Sequence, residues 1–140
     1  MPGSTSPVGG ETVQDITTDA DVVAARQRGR LIAAHIGFTI GDQTVIAAAI
    51  SELARNILLY ARHGEVVLEP LQQNDRVGIK ITARDAGPGI RDVPRALTDG
   101  FSTSGGLGLG LPGARRLVDE FEINSAPGKG TVVTMKKWKL

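Results

Sequence analysis

The segment that decides the fold is DAGPGI at residues 85–90, together with GGLGLG at residues 105–110 a short distance further on. The first cluster follows residues 76–84, where apolar and polar side chains alternate, so it lies where a half-buried strand ends. In the second cluster, glycines alternate with leucines just before a helical pattern. Such a turn exposes backbone N–H groups at the positive end of a helix, where phosphate oxygens bind. The segment therefore predicts a nucleotide site.

Two better-known glycine loops do not match this segment. A Walker A loop requires Lys after its final glycine, whereas Leu111 follows Gly110. Residues 108–113 do match GxGxxG, but no strand pattern precedes them and no acidic residue follows at about 20 positions. The segment is therefore neither a P-loop nor a dinucleotide-binding turn.

A pair of polar residues lies upstream on the clearest helix of the chain, which Asp42 is predicted to cap and which runs to about Ala61. Glu52 and Asn56 are four residues apart, so they project from one face with Cβ atoms about 5 to 6 Å apart. A carboxylate and an amide there suit activation of a nucleophile and binding of Mg²⁺. The same spacing is also that of an ordinary solvated pair, so the pair needs independent support.

Asp85 stands at the end of a predicted strand, before a loop whose glycines allow close approach. An acceptor carboxylate there can bind the exocyclic amine of a base and discriminate against bases that lack this donor. The alternative is an aspartate that only initiates the Gly-Pro-Gly turn.

The remaining patterns predict an α+β fold, a two-layer sandwich in which helices cover one face of a mixed, mostly antiparallel sheet. The tail covers residues 1–11 and the domain residues 12–140. Asp19 or Asp21 is predicted to cap the first helix, which runs to about Ile36, and the last helix starts near Gly108 to Leu111 and runs to about Phe121. The strands are predicted over residues 13–17, 66–71, 76–84, 122–125 and 131–138.

The composition narrows the range of partners. The 140 residues are 41% hydrophobic and 22% charged, with a net charge of +1 and no cysteine. These values favour one soluble cytoplasmic domain, and they give no electrostatic reason to expect nucleic acid or a membrane as partner. The lysines around Trp138 are interpreted as the charged end of an edge strand.

Four motifs in a fixed order are more specific than any one of them. ELARN at residues 52–56, DAGPGI, GGLGLGL and GKGT at residues 128–131 resemble the N, G1, G2 and G3 boxes of the GHKL ATP-binding superfamily, which has the Bergerat fold. The resemblance covers about residues 12–138. Within the superfamily, the short interval between the two glycine clusters resembles the anti-sigma-factor-type serine/threonine kinases, and most of all the switch kinases of bacterial stressosomes.

That resemblance implies a role for each matching position, with ATP and Mg²⁺ as cofactors. Glu52 would be the general base and Asn56 the metal ligand. Asp85 would bind the adenine amine, Gly89 would let the base approach, Thr131 would add a polar contact, and residues 98–104 would form a short lid. The implied nucleotide-binding set comprises Asp85, Gly87, Gly89, Gly105, Gly106, Leu107, Gly108, Leu109, Gly110 and Thr131.

The resemblance also implies a function and partners. The chain would phosphorylate STAS-domain proteins on Ser or Thr and, when released, activate a PP2C-type phosphatase. Two alternatives remain: a nucleotide-gated module that binds a sigma factor or phosphatase with little kinase activity, and the catalytic domain of a histidine kinase. The latter is disfavoured because no dimerisation helix pair with a phosphoacceptor His is recognised. Arg55, Arg91 and Arg95 have no assigned role.

Overall fold

The computed structural model describes residues 10–89 and 110–140. Three helices are present in these ranges: α1 (Asp19–Ile36), α2 (Ile40–Tyr60) and α3 (Gly110–Leu117). The strands are β1 (Thr12–Ile16), β2 (Gly64–Gln73), β3 (Arg76–Asp85), β4 (Glu120–Ser125) and β5 (Thr131–Trp138). No helix within these ranges has an apolar stretch long enough to cross a bilayer.

The five strands form one sheet in the order β1-β2-β3-β5-β4. Strands β2 and β3 form one hairpin and β4 and β5 another, and the second hairpin docks through β5 onto β3. The predicted α+β fold is confirmed. Every pairing between the described strands is antiparallel, so the parallel pair of a mixed sheet is not found among them.

Both long helices are capped by a threonine that precedes the acidic residues of the first turn. Thr18 is the N-cap of α1, and Asp21 completes a capping box with it. Thr39 caps α2, with its hydroxyl accepting from the Asp42 N–H at 3.1 Å. The predicted caps at Asp19 or Asp21 and at Asp42 are therefore wrong. Asp21 and Asp42 are each the third residue after the N-cap, and each donates its backbone N–H to the threonine hydroxyl.

The core lies between the helices and one face of the sheet. Strand residues at alternate positions point into it, among them Val66, Ile81 and Met135, and α2 contributes Ile50 and Leu53, all at most 1% exposed. Because side chains alternate across a strand, the same strands present mostly polar residues on the opposite face. This arrangement fits the predicted two layers.

The last helix is shorter than predicted. It ends at Leu117, and Phe121, which the periodicity places in the helix, belongs to β4 opposite Met135. The Asp119 N–H already donates to the Lys136 carbonyl at 3.0 Å, so strand pairing overrides the helical pattern there.

Strand β5 is an interior strand, so the interpretation of its lysines as an edge feature is wrong. Lys136 and Lys137 lie near Glu120 and Asp119, at 3.9 and 3.8 Å. The Trp138 indole donates to Glu120 at 2.7 Å. These contacts tie β4 to β5.

Candidate functional site

Three of the polar residues lie side by side at one end of the sheet. Asp85 is opposite Thr131 in the β3–β5 ladder, and Thr131 is opposite Ser125 in the β4–β5 ladder. Directly opposed residues of an antiparallel sheet share a face, with Cβ atoms about 4.5 to 5.5 Å apart. Asp85, Thr131 and Ser125 therefore form a polar row at this end of the sheet.

Asp85 has one oxygen engaged and one oxygen available. Its Oδ1 accepts from the Gly87 N–H at 2.9 Å, as in an Asx turn. No residue in the described ranges donates to Oδ2. The turn-initiating role and the base-binding role, posed as alternatives by the sequence, are thus compatible because each uses a different oxygen.

The loop after β3 and the turn before β5 are closely interlocked. The Gly128 N–H donates to the Pro88 carbonyl at 2.6 Å. Gly89 and Gly130 have φ of 80° and 76°, and a Cβ at either would collide with backbone, at the carbonyl oxygens of Ala126 and Asp85 respectively. Glycine is required at both positions by this backbone contact, whereas the approach of a base to Gly89 stays a prediction.

Thr131 is buried, at 5% exposed, and its hydroxyl contacts the Ser125 hydroxyl at 2.8 Å. The Ser125 hydroxyl in turn donates to the Gly130 carbonyl at 2.9 Å. Sequence reasoning missed Ser125 as a site residue. The predicted hairpin around residues 127–130 contains a signal for it, since that turn places Ser125 opposite Thr131.

Glu52 joins the upstream motif to the glycine segment. It lies on α2 and is 5% exposed, and its Oε1 accepts from the Gly110 N–H, the first residue of α3, at 3.0 Å. Its Oε2 lies 3.5 Å from the Arg55 guanidinium. A carboxylate at a helix N-terminus is stabilised by the helix dipole and by the free N–H groups there. The structure thus brings together two motifs that are 58 residues apart in sequence.

Asn56 lies one turn further along α2 and is partly buried. No described residue forms a hydrogen bond with its side chain, so its amide oxygen is available. Within residues 10–89 and 110–140, no cluster of three or more His, Asp or Glu residues could hold a metal by itself. A single amide oxygen fits Mg²⁺, because this ion is usually bound through one or two protein ligands, water and substrate phosphate.

Part of the predicted site lies outside the described residues. This holds for the predicted lid over residues 98–104, for Arg91 and Arg95, and for most of the second glycine cluster, namely Gly105, Gly106, Leu107, Gly108 and Leu109. Gly110 is described and contacts Glu52. Arg55, which has no role in the sequence interpretation, is the ion-pair partner of Glu52.

The antiparallel sheet, the two helices on one face and the polar row beside α2 define a class of ATP-binding domain. The chain belongs to the family of histidine kinase-, DNA gyrase B- and HSP90-like ATPases, which it matches over residues 41–140. The predicted superfamily is confirmed.

Individual relatives narrow the comparison. Serine/threonine-protein kinase RsbT of Bacillus subtilis is 54% identical, over 88% of this chain and 92% of that protein. The anti-sigma F factor of Caldanaerobacter subterraneus is 31% identical, over 76% of this chain and 77% of the other. Among solved structures, the mycobacterial sensor histidine kinase MprB superposes with a TM-score of 0.56 at 20% identity, over 91% of this chain and 97% of that one. This last likeness shows the fold.

Proposed function

We propose that the chain is a protein serine/threonine kinase that transfers the γ-phosphoryl group of Mg-ATP to a hydroxyl of a partner protein. The observation that carries the proposal is the contact between the Glu52 carboxylate and the Gly110 N–H at 3.0 Å. It puts a buried carboxylate at the end of a glycine segment whose composition suits phosphate. The 54% identity to a serine/threonine-protein kinase supports the same reaction.

The residues divide the work of phosphoryl transfer between them. Glu52 takes the proton of the substrate hydroxyl while that oxygen bonds to the γ-phosphorus and the bond to the β–γ bridging oxygen breaks, which leaves ADP. Asn56 would hold Mg²⁺, which when bound neutralises charge on the phosphates. Asp85 accepts a hydrogen bond from the adenine amine. Most of the catalysis comes from positioning these groups.

The partners belong to the same proposal. The substrates are STAS-domain proteins of a bacterial stressosome, and the released kinase activates a PP2C-type phosphatase in the cytoplasm. Residues 12–140 act as one domain in this scheme. A second candidate is a nucleotide-gated binding module with little kinase activity, which the similarity to an anti-sigma F factor favours.

Substitution of Glu52 tests the reaction. With labelled ATP and candidate STAS proteins, we expect Glu52→Gln to lower transfer by at least about 100-fold, the usual contribution of a general base. ATP affinity should change little, because the Gln oxygen can still accept from the Gly110 N–H. Glu52→Ala, which removes the carboxylate entirely, should abolish transfer.

Three outcomes distinguish the candidates. Wild-type transfer rates in Glu52→Gln would rule out Glu52 as the base. Stable capture of a partner without incorporation of label by the wild-type chain would favour the binding module. Acid-labile phosphate on the partner would indicate a histidine phosphoacceptor instead.

A further inference from the structure

We propose that Arg55 is a positioning residue for phosphoryl transfer, and that it holds the Oε2 atom of Glu52 on the more exposed side of the site, where a substrate hydroxyl can reach it. Because Glu52 is taken as the general base, this role of Arg55 rests on the proposed function. Neither the four motifs nor the resemblance assigns a role to this arginine.

Two groups from different elements hold the Glu52 carboxylate. The Gly110 N–H, at the start of α3, donates to Oε1 at 3.0 Å. The Arg55 guanidinium lies 3.5 Å from Oε2 and belongs to α2, as Glu52 does. Residues three apart on a helix lie on one face, so this second contact needs no other element in place. Oε1 is therefore held by the backbone of α3, and Oε2 by a side chain of the same helix.

Exposure and contact length indicate which oxygen a substrate can reach. The Glu52 side chain is 5% exposed and the Arg55 side chain 32% exposed, so Oε2 faces the more open side. The 3.5 Å contact of Oε2 is at the outer limit of hydrogen bonding, whereas Oε1 has a close donor. A carboxylate oxygen has about two lone-pair directions. Oε2 can therefore accept from a substrate hydroxyl while Arg55 stays beside it.

Burial distinguishes this contact from an ordinary ion pair on a helix surface. Exposed pairs contribute little, because water already solvates both charges. Glu52 has lost most of its water, and a buried carboxylate without a partner is strongly disfavoured. Among residues 10–89 and 110–140, Arg55 is the one cation in ion-pair contact with Glu52. Without it, we expect the carboxylate to turn toward water, which moves the base oxygen away from the substrate.

Arg55→Gln tests this role through the rate of transfer. With labelled ATP and a STAS protein that the wild type phosphorylates, we expect kcat to fall about 10- to 100-fold, because a displacement of about 1 Å can cost about 100-fold. The dissociation constant of ATP and the KM for the partner should stay within about twofold of wild type, since Arg55 acts through Glu52. Arg55→Lys, which keeps the charge, should recover part of the rate, as should millimolar guanidinium added to Arg55→Ala.

Two further variants separate positioning from a structural effect. The matched control is Arg84→Gln, which removes the ion pair between Arg84 and Glu65 at 3.0 Å on the sheet and should leave kcat unchanged. In a Glu52→Gln background, we expect Arg55→Gln to cause no further loss of rate, because the carboxylate that Arg55 positions is absent. Thermal unfolding of each variant checks that it is folded.

The outcomes decide between this role and the kinase proposal itself. An unchanged kcat in Arg55→Gln would overturn the role of Arg55 and leave the kinase proposal intact, as would an equal loss with and without the Glu52 carboxylate. Failure of the wild-type chain to transfer phosphate to any STAS protein would overturn both. If Arg55→Gln does not fold, Arg55→Lys takes its place, with a lower kcat and unchanged ATP affinity expected; weakened ATP affinity would contradict the role.

Discussion

At the scale of single residues, the two carboxylates of the predicted site, Asp85 and Glu52, each have their two oxygens in different surroundings. Asp85 engages Oδ1 with the Gly87 N–H and leaves Oδ2 for a ligand. Glu52 accepts from Gly110 with Oε1 and faces Arg55 with Oε2. In both cases one oxygen orients the side chain through the backbone, which reduces the entropy lost when the other oxygen acts.

Asp85→Asn tests the adenine contact. The Asn oxygen can still accept from the Gly87 N–H, but its amide nitrogen then meets the 6-amino group as a second donor. We expect ATP affinity to fall at least about tenfold, which corresponds to about 1.4 kcal/mol. The measurement is titration calorimetry, with thermal unfolding of the unliganded variant as the control for folding. If Asp85→Asn bound ATP as tightly as the wild type, the adenine assignment would be wrong.

At the scale of elements, short polar side chains fix the start of helix α1 through hydrogen bonds to backbone N–H groups. Thr18 accepts from the Asp21 N–H at 3.3 Å, and Asp21 Oδ2 accepts from the amides of Thr17 and Thr18 at 2.9 and 3.1 Å. Hydrogen bonds to Thr17, first from its backbone and then from its hydroxyl, lower the pKa of Asp21 below its ordinary value of 3.8. The charged form of Asp21 therefore supports the start of α1.

This capping box predicts a pH dependence. Since the pKa of Asp21 is lower in the folded chain, its contribution to stability is complete above about pH 4 and is lost as the pH falls through the folded value. We expect Asp21→Asn to reduce the loss of stability that occurs as the pH falls below about 4. Urea unfolding at several pH values measures this effect. If the unfolding free energies of the variant and the wild type fell in parallel as the pH was lowered, this prediction would be wrong.

At the scale of the whole molecule, the predicted base site lies between the loop that follows the β2–β3 hairpin and the turn within the β4–β5 hairpin. The loop after β3 and the turn before β5 meet through Gly128 and Pro88, and Gly130 lies against the Asp85 carbonyl. Docking of the second hairpin onto β3 is therefore what aligns Thr131 and Ser125 with Asp85. The predicted base site therefore requires both hairpins to be folded together.

A pair of glycine substitutions tests this interlock. Gly128 and Gly130 have nearly equal φ of 77° and 76°, but no described atom lies within 4 Å of a Cβ at 128, whereas one at 130 collides with Asp85. Gly128→Ala should cost about 1 kcal/mol of unfolding free energy from the left-handed conformation. Gly130→Ala should lower the unfolding free energy by about 1 to 3 kcal/mol more, because the added Cβ overpacks against the Asp85 backbone. It should also weaken ATP binding, because Asp85 is then displaced. Equal losses in the two variants would contradict the interlock.

Much of the architecture could be predicted from local patterns. The alternation over residues 76–84 and the apolar stripe on α2 identify a strand and a helix, because burial of one face imposes a period of 2 or 3.6 residues. The predicted element boundaries are wrong where a local preference competes with another local signal or with strand pairing. Acidic residues in the first turn resemble caps, and Phe121 fits a helical period although pairing with Met135 decides its conformation.

By itself, the sequence determined the type and order of the elements and supplied the residues of the predicted site, because both depend on residue type and on spacing within one helix, strand or turn. Only the tertiary structure decided that β5 lies between β3 and β4, that Glu52 contacts Gly110, and that the Ser125 hydroxyl contacts the Thr131 hydroxyl. These contacts join residues from separate elements. Their formation depends on strand register and on packing of the common core, which are properties of the whole chain and leave no local pattern.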